Sequence, residues 1–189
     1  MKEKISKLIA GNECTHVLYP YQDRKRYLNN AITYTLEGIE NGEIVILIEN
    51  ERNMNVLQKR LNTQLTSKQL EKVHAISNFE FYQSSGSYHP PAIYEQLKKT
   101  IAPYLEHGIS FRSWTNVEWG ALEDPCSIIE WFETETDQVV HEHNMTVVCA
   151  YDSEKMPDHL EEALKKNHGH LMSDEDIVPS KVYSKIKYS

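Results

Sequence analysis

Glycine is scarce in this chain, seven residues in 189, and none falls where a phosphate-binding loop would need one. The turn after the first apolar run reads Tyr19-Pro20-Tyr21-Gln22-Asp23-Arg24-Lys25-Arg26. A P-loop wraps phosphate in the backbone N–H groups of a glycine-rich turn ending in Lys-Ser/Thr. This turn cannot cradle a triphosphate in that way, so ATPase activity is not expected. Cysteine is scarce too. Cys14, Cys126 and Cys149 form no C-x-x-C pair, and an odd, sparse set fits reduced thiols in the cytoplasm better than a disulfide framework. There is no surplus of base: the net charge is -8, which argues against a nucleic-acid partner. No run of eighteen apolar residues could span a membrane, and Met1 to Ala10 lacks the apolar centre of a signal peptide. No G-x-S-x-G elbow is present. The lack of repeats, low-complexity segments and Gly/Ser linkers predicts one domain over residues 1–189, with a core of about 14–180.

What is present is an ordinary globular balance, 40% apolar and 25% charged. The run His16-Val17-Leu18-Tyr19 reads as a buried strand, followed by a helix with Leu28, Ile32, Leu36 and Ile39 on one face. A turn at Glu40-Asn41-Gly42-Glu43 leads to a second strand, Ile44 to Ile48. Residues 1–14 read as a helical lead-in. Further helices are predicted over Arg52 to Leu61, Thr66 to Glu71, Pro90 to about His107, Asp124-Pro125 to about His143, and Pro157 to Lys166. Val73 to Tyr82 is strand-like with a polar break at Asn78. Ile109 to Trp114 alternates as a half-buried strand does, and Met145 to Tyr151 is the most strand-like run of all. The tail from Leu171 is polar, with Ile177, Val178, Val182 and Ile186 as anchors. Ser84-Ser85-Gly86-Ser87 reads as a flexible loop. Strands alternating with helices predict a three-layer α/β fold, a mostly parallel sheet with helices on both faces. Ligands of such sheets bind outside the carboxyl ends of the strands, here Tyr19 to Asp23, Glu49 to Arg52, Trp114 to Trp119 and Tyr151-Asp152.

Those segments, taken in order, resemble a known family. The opening His16-Val17-Leu18-Tyr19, the helix ending Leu36-Glu37-Gly38-Ile39-Glu40-Asn41-Gly42-Glu43, Trp119, the strand Val147 to Asp152 and the helix running into Asn167-His168 are similar to the methanogen/methylotroph sensory (MEDS) domain. The resemblance implies a RecA/KaiC-like fold with a degenerate P-loop. It also implies a sensory module of bacterial and archaeal signalling that binds a small organic molecule. With no attached output domain in this chain, output is expected to pass through a separate signalling protein partner. A homodimer is compatible with it.

The aromatics Tyr19, Tyr21, Trp114, Trp119 and Tyr151 fall on loops expected to share one edge of the sheet. They read either as the rim of a small-molecule pocket or as core and cap residues. His16, Asp23, Arg26, Glu49, Arg112 and Glu118 are expected near the same edge, binding a polar ligand or pairing with one another. The predicted ligand-binding set is thus Tyr19, Tyr21, Asp23, Arg26, Glu49, Trp114, Glu118, Trp119 and Tyr151, with no catalytic residue. His141-Glu142-His143 has i, i+2 spacing, about 200° apart on a helix, and cannot share one ion. His168-Gly169-His170 reads as a helix-end turn, so neither a structural metal nor a cofactor is expected. Cys14 beside His16 reads as packing. Two other functions compete with the sensor: a ligand-free interaction module acting on a signalling kinase or transcription regulator, and an enzyme acting on a small organic molecule.

Overall fold

The computed structural model describes residues 1–10, 14–83, 89–119 and 125–184. Helix α1 (Lys2–Ala10) forms the lead-in and places Ile5 in the core against α2 (Arg24–Glu40). Between them runs β1 (Thr15–Tyr21). Asp23 caps α2, its Oδ1 accepting from Arg26 N at 2.8 Å, and Gly42 at φ 88° turns the chain out of the helix in the left-handed region. Then follow β2 (Ile44–Glu49), α3 (Glu51–Asn62) capped by Asn50, and α4 (Ser67–Leu70) opened by a Thr66/Gln69 capping box.

Strand β3 (Val73–Ser77) stops where the polar break at Asn78 begins. The residues beyond it are not a continuing strand but a short helix, α5 (Asn78–Tyr82), which turns Phe81 and Tyr82 into the core. Helix α6 (Pro90–Glu106) starts on its two prolines and ends before Gly108, φ 61°. The next strand is β4 (Phe111–Asn116), shifted by two residues from the expected Ile109 to Trp114. Its alternation does not mean half-burial: all six residues are buried, because helices cover both faces of a central strand. Helix α7 (Cys126–Glu142), β5 (Thr146–Asp152) and α8 (Asp158–Leu164) complete the regular α/β part. The tail, expected to contribute only scattered anchors, adds two short strands, β6 (His170–Met172) and β7 (Ile177–Pro179). The expected cap Asp124, the Ser84 to Ser87 loop and Ile186 lie outside the described residues.

One seven-stranded sheet runs in the order β3-β2-β4-β5-β1-β6-β7, parallel except for β7. Helices α1 to α3 pack on one face around Leu28, Ile32, Leu57 and Leu61. Helices α5 to α8 pack on the other around Phe81, Ile93, Ile129, Phe132 and Leu160. Right-handed crossovers demand this split, since the chain moves toward β3 with its helices on one face and returns with them on the other. Neighbouring strands β2 and β4, and likewise β5 and β1, therefore send their following loops to opposite faces. A crevice opens at their carboxyl ends, the usual ligand position in such sheets. Among the described residues, no helix is long and apolar enough to cross a membrane.

Candidate functional site

Glu49, last residue of β2 and 0% exposed, stands at the carboxyl edge of the sheet where the crevice opens. Its Oε1 accepts from Asn116 Nδ2 at 2.5 Å, Asn53 Nδ2 at 3.1 Å and Asn50 N at 2.8 Å, and Tyr27 Oη donates to Oε2. Burial raises its pKa, and these donors pull it part of the way back. No described cation pairs with it, so a carboxylate is held here by neutral groups alone. Glu49 itself borders a hollow of about 350 Å³ with Glu51, Met54 and Ser77, and its partners Asn50 and Asn53 line a separate cleft of about 280 Å³ with Tyr21, Arg24, Glu118, Asp152 and Lys155. That cleft continues into a second lobe of about 220 Å³ bounded by Val117, Glu118, Trp119, Asp152 and Lys155. Glu118 Oε1 accepts from Asn50 Nδ2 at 3.0 Å, Arg24 Nε donates to Asn53 Oδ1 at 2.8 Å, and Lys155 lies 3.4 Å from Asp152. Mixed charge with aromatic walls suits a small polar or amphipathic molecule.

The turn that replaces a phosphate loop is latched by the chain itself. Asp174, between β6 and β7, accepts from Tyr19 Oη at 2.7 Å and from the backbone N–H of Asp23 at 3.0 Å. Arg26 pairs with Glu175 in the same latch. The N-terminus of α2, where an anion would be held, thus already faces an internal carboxylate. Burial and Asp174 together raise the Tyr19 pKa, which keeps its hydroxyl a donor.

The sheet separates the predicted aromatic group. Tyr19, Tyr21 and Trp114 lie on the α2 face with Tyr27 and Tyr34. Tyr21 stacks on Tyr27 at 4.2 Å between centroids, and Trp114 Nε1 donates to Tyr27 Oη at 3.0 Å. Tyr151 and Trp119 lie together on the other face, centroids 6.3 Å apart. Tyr19, Trp114 and Tyr151 are fully buried; Tyr21 and the half-buried Trp119 reach the crevice. Asp23 caps α2 and Arg26 sits in the latch, both beside the crevice rather than in it. His16 and Arg112 do not share this edge. They sit at the amino ends of β1 and β4, against Val147 and Val45, because parallel strands put early residues at the opposite end. Arg112 is there bound to Glu43. Cys14 Sγ lies 2.8 Å from His141 Nδ1. Asn50, Asn53, Asp152 and Lys155 also line the crevice; of these, Asn50 and Asp152 stand at strand ends that sequence marks.

Sequence reading also misses a buried group between the sheet and α7. His16, Glu133, Cys149 and His168 bring one ligand-type atom each to within 4.8 Å of one another. Burial and Glu133 push the Cys149 thiol up to about 12, while burial and His16 push His168 down to about 3. Burial opposes charge on His16, but Cys149, Asp137 and Glu133 outweigh it and hold its pKa well above the usual value. Their positions in the sequence, 117, 16 and 19 residues apart, give no local spacing signal.

Comparison with known proteins agrees with this geometry. Sequence comparison with curated proteins returns no match. Among solved structures, a KaiC-like protein of Pyrococcus horikoshii OT3 superposes with a TM-score of 0.60 at 12% identity, over 85% of this chain and 71% of that one. The flagellar accessory protein FlaH of Methanocaldococcus jannaschii gives 0.59 at 9% identity with the same coverage. These likenesses establish a RecA/KaiC-like α/β fold. The family model described as MEthanogen/methylotroph, DcmR Sensory domain matches residues 15–168. The match spans β1 through the end of α8, the whole of the crevice and all four buried ligand-type residues, and the chain belongs to the MEDS sensory-domain family.

Proposed function

We propose that this chain is a non-enzymatic sensor whose strand-end crevice binds a small polar organic ligand and whose occupancy is read by a separate protein partner. The observation that carries this reading is the two-lobed cleft beside Asn50 and Asn53, the residues that hold Glu49. It is lined by Arg24, Lys155, Glu118 and Asp152, with Tyr21 and Trp119 as walls. Ligands carrying both a charged group and a short apolar part match that lining. The Asp174 latch supports the reading from the other side, since a nucleotide phosphate would have to displace a carboxylate the chain already provides. A ligand that binds one arrangement of the Tyr19 to Arg26 turn better than another shifts the population of that turn, and the partner reads the shift.

The test is a thermal-shift screen of the purified chain with metabolites and nucleotides, repeated on Glu118→Gln and Trp119→Ala. A small organic hit that raises the melting temperature in the parent and loses at least about tenfold in affinity in both variants supports the sensor. ATP turnover above background would overturn it. A second reading rests on Phe79, 71% exposed on α5, and Trp131, 39% exposed on α7, both on the same side of the sheet. They suit a protein-binding surface, and one stoichiometric partner captured without any small-molecule hit would favour that interaction module.

A further inference from the structure

Buried beneath α7, outside the lining of the crevice, four side chains from four separate segments point at one small volume. His16 comes from β1, Glu133 from α7, Cys149 from β5 and His168 from the connection between α8 and β6. We propose that they form a closed binding site for a divalent transition-metal ion, with zinc the best match to the donor set.

Three of the six distances between the ligand atoms are those of four-coordinate geometry, and all six lie within 4.8 Å. Ligand atoms around tetrahedral zinc lie about 3.3–3.6 Å from one another, given bonds of about 2.0–2.3 Å. Here His16 Nε2 is 3.2 Å from Glu133 Oε2 and 3.4 Å from Cys149 Sγ, and His168 Nε2 is 3.6 Å from the same Glu133 oxygen. The ring tautomers fit as well. His168 Nδ1 is 2.8 Å from the carbonyl of Leu164, and a carbonyl can only accept, so the proton sits on Nδ1 and Nε2 presents its lone pair to the centre. His16 Nδ1 faces the carbonyl of Asn167 at 3.1 Å and Asp137 Oδ1 at 3.3 Å, an arrangement that holds a metal-bound imidazole by its far nitrogen. Glu133 Oε1 is taken by the Tyr151 hydroxyl, which leaves Oε2 for the ion.

His168 Nε2 is fully buried without a hydrogen-bond partner, and the equally buried Glu133 Oε2 meets only ring nitrogens, His16 Nε2 at 3.2 Å as an ion pair and His168 Nε2 at 3.6 Å. An ordinary polar cluster would satisfy His168 Nε2, because a buried orphan costs about 1–3 kcal/mol. A metal ion satisfies both atoms at once. Two neutral imidazoles, one thiolate and one carboxylate balance the charge of a divalent ion, and the sulfur and nitrogen donors select zinc-like metals over magnesium or calcium. Loading releases the Cys149 thiol proton and any proton on His16 Nε2 to solvent, and these two positions become metal bonds. No side chain of the set is exposed, so the site belongs to the structural kind and ties β1, β5, α7 and the end of α8 together.

The full chain, purified without a histidine tag and stripped by chelator, is refolded from urea with Co²⁺ or Zn²⁺ present. The expected result is one Co²⁺ per chain with tetrahedral d–d absorption and a thiolate charge-transfer band, and a melting temperature raised by Zn²⁺. Cys149→Ser should abolish the charge-transfer band. His168→Gln should weaken uptake at least about tenfold, while His143→Gln, at the exposed end of α7, should leave it unchanged. Failure of the parent chain to retain metal by this route shows a metal-free ion-pair network and overturns the proposal. Uptake that survives both Cys149→Ser and His168→Gln overturns it equally.

Discussion

Replacing Glu49 by glutamine probes whether β2 ends in a buried carboxylate held by neutral donors. Three of the four donors converge on Oε1: Asn116 Nδ2 at 2.5 Å, Asn50 N at 2.8 Å and Asn53 Nδ2 at 3.1 Å. A glutamine with its oxygen at that position keeps all three. Its amide nitrogen then faces the Tyr27 hydroxyl, which must accept instead of donate while also accepting from Trp114 Nε1. The lost charge-assisted bond costs about 1.5–3 kcal/mol. Removing a buried, uncompensated charge returns several kcal/mol of desolvation, so the two effects nearly cancel. The expected change at pH 7 is less than about 1.5 kcal/mol. Glu49→Ala, by contrast, orphans four donors and leaves a cavity, and should lose more than about 4 kcal/mol.

The pH dependence separates the charge from the shape. Burial raises the folded-state pKa of Glu49 above its ordinary 4.5. A raised carboxylate pKa means the folded state holds the proton more tightly. Its stabilising contribution is complete below the ordinary value and is lost as pH rises through the folded one. Parent stability should therefore fall relative to Glu49→Gln as pH rises from about 4 to about 7.5, measured by urea unfolding at each pH. A loss above about 3 kcal/mol for the glutamine variant at pH 7, or a parent-to-variant difference that stays flat across the range, would refute the reasoning.

Three further outcomes follow from the geometry. Gly38→Ala, on the buried side of α2, places a Cβ 2.8 Å from both Val45 Cγ2 and Arg112 Cδ. Overpacking of about 1–3 kcal/mol should exceed the helix-propensity gain of about 0.5–1 kcal/mol, so urea unfolding should show a net loss. Asp174→Ala removes the acceptor of Tyr19 Oη and Asp23 N, and trypsin should then cleave at Arg24 to Arg26 faster while the circular dichroism spectrum is unchanged. Glu43→Ala strands the Arg112 guanidinium, 2% exposed, at a cost of about 3–5 kcal/mol, and adding Arg112→Met should recover part of it; additive losses in the double-mutant cycle would sink the ion-pair account.

Local pattern carried most of the fold. Period-2 and period-3.6 apolar runs place β1, β2, β5, α2 and α7 because those elements bury residues at spacings the backbone itself imposes. It failed where context decides. Phe81 and Tyr82 look like strand residues but lie on a helix, and the alternation in β4 hides a strand buried on both faces. The short β6 pairs along the edge of β1, and β7 pairs on β6 in turn. In the site, Tyr21, Glu118 and Trp119 stand at strand ends that sequence can mark. Trp114 and Tyr151 looked equivalent to them, yet register sends these two to opposite faces of the sheet and into the core.

The sequence by itself determined that the chain builds a parallel α/β sheet, that its first strand–helix turn has no glycine to hold a triphosphate, and that it belongs with the sensory domains it resembles. Those properties reside in neighbouring residues and in their order. Only the tertiary structure decided what stands in the place of the phosphate loop, Asp174 reaching back across 151 residues to Asp23. Only it brought Glu118, Asp152 and Lys155 onto one crevice and gathered His16, Glu133, Cys149 and His168 into a single buried volume. Strand order and crossover hand put these residues together, and neither is written in any local stretch of sequence.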